Sequence, residues 1–166
     1  MKMRRLLVTP VVLSFFVAVL AGLAWWAGAP ASAATTNTVL IPVSGTVTGL
    51  PENVAFSGQA RVSSGLVLDP KFGTPPGVIL IIDLSNVSGT GSSTGAKYVA
   101  GGSGTDVRRP LVSTDVVEIT FPFSQGTTMS MSSARSGVAS FTLSFDVNTG
   151  AITKGTATVA APNFPN

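Results

Sequence analysis

The chain has 166 residues and neither a cysteine nor a histidine among them. Without cysteine there is no disulfide framework, no thiolate nucleophile and no lipid-anchoring cysteine. Without histidine the commonest general base is gone, and with both absent transition metals lose their preferred donors. Charge is scarce, at 10% of residues. Tyr98 is the only tyrosine, and both tryptophans, Trp25 and Trp26, fall in the first thirty-three residues. The remainder has no indole face on which a sugar would stack, which counts against a glycan platform.

Those first thirty-three residues read as a bacterial-type secretory signal peptide. Lys2, Arg4 and Arg5 form a basic head, and Leu6 to Ala29 is an uncharged, mostly apolar run. Ala31-Ser32-Ala33 follows the helix breaker Pro30, with small residues at the two positions a signal peptidase reads. The expected cut is after Ala33 and the expected route is general secretion. At about 24 residues the apolar run would span a bilayer if retained as an anchor. Cleavage is the reading adopted, with no membrane insertion afterwards.

Removing the leader changes the electrostatics. The full chain carries ten Lys and Arg against seven Asp and Glu, a formal charge of +3. Three of the ten bases lie in the leader and all seven acids lie beyond it, so the mature chain is formally neutral. A neutral chain has no electrostatic footprint for nucleic acid, and none is expected as partner. About 133 residues remain, enough for one domain with a core. The expected organisation is a leader at 1–33, a flexible lead-in at 34–38, a single β domain at 39–161 and a tail at 162–166.

The β domain rests on period-two patterning. Val39, Ile41, Val43 and Val47 alternate with Leu40, Pro42, Ser44 and Thr46. Pro42 lacks a ladder donor, so this strand should be an edge or carry a bulge. Val54, Phe56, Ala60 and Val62 share a register in a second strand, with a kink expected at Ser63-Ser64-Gly65. Asp69 to Gly77 reads as a Pro- and Gly-rich loop. Val78 to Ile82 is apolar at every position, which predicts a central strand covered on both faces. Ser85 to Gly95 reads as a connection, Ala96 to Ala100 as a short strand, and Arg108-Arg109-Pro110 as the start of another connection.

Val117, Ile119, Phe121 and Phe123 mark a further apolar face, and Ser124 to Gly137 fits a long loop or a weakly signalled strand. The strongest signal comes last. Ala139, Phe141, Leu143, Phe145 and Val147 alternate with Ser140, Thr142, Ser144 and Asp146, and Asn148-Thr149-Gly150 then leads into the Thr- and Val-rich stretch Ala151 to Ala160. This predicts a β-hairpin. With no helical periodicity and no fixed repeat, the expected fold is all-β. It is an antiparallel β-sandwich, or a partly open barrel, of roughly seven to nine strands.

Candidate chemistry is thin. Gly89 to Lys97 invites a phosphate-loop reading, but Ala96 separates the last glycine from Lys97 and no helix follows, so a flexible connection is expected. Asp146-Val147-Asn148-Thr149-Gly150 resembles the opening of a calcium loop but lacks the later acidic ligand, with Lys154 beyond it. A serine nucleophile would have only Lys97 or Lys154 as its base. Paired carboxylates for glycoside hydrolysis would have to come from Glu52, Glu118 or the aspartates. Arg108-Arg109 near Asp106 offers an anion site, with a solvated basic doublet as the simpler reading. The phenylalanines beyond the leader read mostly as core.

No residue is therefore assigned a catalytic, cofactor-binding or metal-ligating role, and no cofactor is implied. The function expected is that of an exported, non-enzymatic β-sandwich protein with a structural or interaction role in the periplasm or at the cell surface. Its partner would be a protein or a small ligand, and the first strand, Val39 to Val47, is a candidate for strand addition. The alternatives are a small-ligand or glycan-binding module, and a hydrolase working without His or Cys.

Overall fold

The computed structural model describes residues 36–68, 76–102 and 104–163. The leader, the start of the lead-in, most of the 69–77 loop and the last residues of the tail lie outside them. Nine strands follow in order: β1 (Thr36–Val47), β2 (Val54–Val67), β3 (Gly77–Asp83), β4 (Val87–Gly91), β5 (Lys97–Ala100), β6 (Thr105–Pro110), β7 (Thr114–Gln125), β8 (Arg135–Phe145) and β9 (Ile152–Ala160). A 3-10 turn, Met131–Ser133, precedes β8. Among the described residues no helix is long and apolar enough to cross a membrane.

Hydrogen-bonded neighbours run β1-β9-β8-β7-β5-β4-β2-β3-β6, and β1 also pairs with β2. The extra pairing joins seven strands into a ring of ladders, from which β3 and β6 branch off β2. It is not a barrel, because β2 divides its length between two neighbours. Val54 to Gly58 pair with β4, while Arg61 to Val67 pair with β3. All-β folding and the strand number match the sequence reading, but the sheet is mixed, because β1 and β9 run parallel. A closed ring can alternate direction throughout only if its strand number is even. With seven strands one junction must be parallel, and it falls where the first strand meets the last.

Period-two patterning decides which side chains fill the interior. Ile41, Val43 and Val47 of β1 face Val54, Phe56, Ala60 and Val62 of β2 and the inward residues of β7, β8 and β9 in one core. Phe121, Phe123 and Phe141 are among its largest fully buried side chains. Phe56 meets Phe121 and Phe123 edge-on, with ring centroids 5.7 and 5.1 Å apart. Such pairs add about 0.5–1.5 kcal/mol each beyond their area.

Several local expectations need correction. β3 is paired on both sides, by β2 and β6, but only one face is covered. Val78, Leu80 and Ile82 are buried, whereas Ile79 and Ile81 are about two-fifths exposed. An all-apolar run therefore marked one buried face and one apolar outer face. β2 runs unbroken through Ser63-Ser64-Gly65; its irregularity is the change of partner a few residues earlier. β4 and β6 replace two of the expected connections, since ladder bonds to neighbours stabilise segments whose own β propensity is low. Pro42 sits just before Val43, where the β9 ladder begins, so β1 is an edge on that side up to Pro42. For strand addition, β1 is already committed to β2 along its whole length and to β9 from Val43 to Thr46. The C-terminal hairpin forms as expected, with Phe141 opposite Ala157.

Candidate functional site

Three polar residues occupy inward-facing registers where apolar ones are the rule. Glu52 precedes the buried Val54 and Phe56 by two and four residues, Tyr98 precedes Ala100, and Arg135 precedes Gly137 and Ala139. Each sits at or just before the end of its strand, and the ring brings all three together. Glu52 and Tyr98 are buried, at 8% and 3% exposure.

The Glu52 carboxylate accepts four hydrogen bonds. The backbone N–H groups of Ser93 and Thr94 each donate to Oε2 at 3.0 Å. The Thr94 hydroxyl donates to Oε1 at 2.7 Å and the Tyr98 hydroxyl to the same oxygen at 3.0 Å. These donors match a carboxylate's roughly four lone-pair sites. The Thr94 hydroxyl leads the effect, and the amides of Thr94 and Ser93 and the Tyr98 hydroxyl add to it; against desolvation they hold the carboxyl down at about 2. Tyr98 moves the other way, raised by burial and by the bond it donates to the carboxylate.

The Gly-rich segment that reads as a flexible connection is thus a tied β4–β5 turn. Gly91 N–H donates to the Ala96 carbonyl, Gly95 N–H to the Gly91 carbonyl, and Ser92 N–H to the Asn53 carbonyl. The Ala96 N–H donates to the Thr94 hydroxyl oxygen. Backbone N–H groups do converge on a negative charge, but the charge is the chain's own Glu52.

Arg135 completes the arrangement. Its Nη1 donates to the Glu52 backbone carbonyl at 2.9 Å, and its guanidinium carbon lies 5.0 Å from the centre of the Phe123 ring. Phe123 also meets Tyr98 edge-on, with centroids 6.0 Å apart. Beside this group opens a cleft of about 660 Å³ lined by Leu50, Pro51, Tyr98, Gln125, Gly126, Ser133 and Arg135.

The other sequence candidates disperse. Glu118 lies exposed on the outer face of β7, opposite Ser140, and lines a different cavity with Thr120 and Thr158. It shares no cleft with Glu52. Lys97 donates to the Thr90 hydroxyl at 3.3 Å, and among the described residues no hydrogen bond joins Lys97 or Lys154 to a serine. Arg109 forms a two-pronged pair with Asp115, Nε to Oδ2 at 2.7 Å and Nη2 to Oδ1 at 2.9 Å. The basic doublet therefore has an internal anion. Asp146 closes the β8–β9 turn, its Oδ1 accepting the Asn148 N–H and its carbonyl accepting the Gly150 N–H. Among the described residues no three acids lie close enough together to hold a metal ion.

Sequence reasoning singled out Glu52 and Tyr98 separately and missed Arg135, Gln125 and Leu50. The available signal was parity. In β8 the inward register runs Gly137, Ala139, Phe141, Leu143, and Arg135 lies on it. Comparison with protein families, with curated proteins and with solved structures finds no match.

Proposed function

We propose that this chain is an exported, non-enzymatic β domain that works by binding, with the cleft beside Arg135 as its contact site. The observation that carries the reading is the saturation of Glu52. A carboxylate with four donors and a pKa near 2 stays ionised at neutral pH and has no lone pair to offer a substrate proton. Tyr98 spends its proton on the same carboxylate. The polar cluster therefore acts as scaffold, and the open side of Arg135 is what remains for a partner. Export rests on the leader composition, and the periplasm or cell surface is the address it favours.

The test pairs turnover with binding. The purified protein should hydrolyse no ester, peptide or glycoside substrate. A thermal-shift screen of anionic, neutral and cationic small molecules should give dose-dependent stabilisation by some of them. Filling the cleft with Ser133→Trp should abolish that stabilisation, and Ser133 is exposed, so the fold should tolerate it. Turnover that disappears in Glu52→Gln would overturn the non-enzymatic reading. Stabilisation by no class of molecule, or by ligands indifferent to Ser133→Trp, would overturn the cleft as contact site.

A further inference from the structure

The lining of the cleft narrows the kind of ligand it suits, an inference that rests on the binding role proposed above. We infer that it receives a carboxylate carried on an apolar body. Arg135 takes the carboxylate, and Leu50 and Pro51 cover the body.

Charge favours an anion. Among the described residues Arg135 is the only charged one lining the cleft. The one acid nearby, Glu52, has its carboxylate committed to Ser93, Thr94 and Tyr98. Arg135 touches Glu52 through the backbone carbonyl instead, so among the described residues its charge has no carboxylate partner. A guanidinium carries five N–H donors in a fixed plane. That plane suits a two-pronged grip on a carboxylate.

Preorganisation comes second. The Phe123 ring beneath and the Glu52 carbonyl beside it hold the guanidinium in place before any ligand arrives. Little side-chain entropy remains to be lost on binding. Shape comes third. Leu50 is 90% exposed at the cleft wall, next to Pro51, an apolar surface left open to solvent. Gln125 and Ser133 add neutral polar groups, and among the described residues none that lines the cleft is acidic. About 660 Å³ falls within the range of small-molecule sites, roughly 300–1,000 Å³.

Two sources supply this chemistry, the C-terminal residue of a peptide and a free organic acid. N-acetyl-phenylalanine represents the first and phenylacetate the second, with the neutral amide of each as control. Binding to the purified protein should be measured by calorimetry at low ionic strength. At least one acid should bind about tenfold or more tightly than its amide, the scale of a charge-assisted hydrogen-bonded pair. Preference between the acids identifies the source, and either preference supports the assignment.

Arg135→Gln should remove the difference between acid and amide, and Arg135→Lys should keep part of it. Leu50→Ser, at an exposed position, should weaken the acids several-fold with an unchanged melting temperature, and it decides the matter if Arg135→Gln fails to fold. Amides binding as well as acids, acid binding untouched by these variants, or no acid binding at millimolar concentration would each overturn the inference. A neutral or cationic molecule that binds and is displaced by Ser133→Trp would overturn it while leaving the binding role standing.

Discussion

The carboxylate of Glu52 occupies the space that a β-carbon on Gly91 would fill. Gly91 is buried at the end of β4, and its missing side chain lets the acid reach the turn that follows. Gly91→Ala should push the carboxylate off its four donors. Overpacking a buried site costs about 1–3 kcal/mol, and displacement of the acid should place this substitution toward the upper end. Urea melts measure it. A wild-type midpoint would mean that the cage contributes nothing to stability.

The acid limb of the stability curve should follow from the same cage. The Glu52 carboxyl sits at about 2 in the folded chain against 4.5 for an ordinary glutamate. A depressed folded pKa means that its contribution is complete above 4.5 and is lost as pH falls from there toward 2. Asp115, lowered mainly by its hydrogen bonds from Arg109, acts in the same direction below 3.8. Tyr98 is raised, so its contribution is complete below 10 and declines as pH rises beyond that. Glu52→Gln should flatten the limb between 4.5 and 2 and leave the Asp115 part. Denaturant midpoints taken across this range check it, and an unchanged slope in the variant counts against the cage.

Ring closure depends on a close backbone approach. Gly45 of β1 lies opposite Val159 of β9, and a β-carbon on it would overlap the Val159 backbone carbonyl. Because the obstacle is backbone rather than a flexible side chain, Gly45→Ala should open the parallel ladder. The cost should reach the upper end of the roughly 1–3 kcal/mol of overpacking. Hydrogen exchange should speed up at Ala157 to Ala160 while the amides between β7 and β8 keep their protection. Uniform exchange across all three strands would show that closure is not a separate step.

The C-terminal hairpin should show its two faces energetically. Phe141 is fully buried and Thr142, its neighbour, is exposed. Phe141→Ala should cost about 3–5 kcal/mol, as deleting a buried ring does. Thr142→Ala should stay within about 0.5 kcal/mol, the usual range for a surface change. Equal losses in urea melts would contradict the half-buried strand.

The alternation of Phe141, Leu143 and Phe145 with Thr142 and Ser144 was enough to predict β8 and its inner face, because a strand slipped by one residue would expose every ring. The Asn148-Thr149-Gly150 turn was equally legible, since its chemistry is local. β4 and β6 were not. The Gly of β4 and the Asp and Pro of β6 are poor strand formers that interrupt the few Val and Thr, and ladders from neighbouring strands supply the stabilisation.

Glu52 shows the same division more sharply. Its identity and its parity with Val54 and Phe56 stand in the sequence, but its four donors come from residues forty-one to forty-six positions away. Only the pairing of β2 with β4, and of β4 with β5, brings Ser93, Thr94 and Tyr98 to it. Arg135 likewise needs Phe123 beneath it and the Glu52 carbonyl beside it before its free side means anything. Patterns of period two are read one strand at a time, so the sequence alone determined the strongly alternating strands such as β7 and β8, their inward faces and the exclusion of thiolate and imidazole chemistry. The parallel junction, the tied turn and the cleft depend on which strands become neighbours. That choice belongs to the burial of one shared core, and no local stretch of the chain records it.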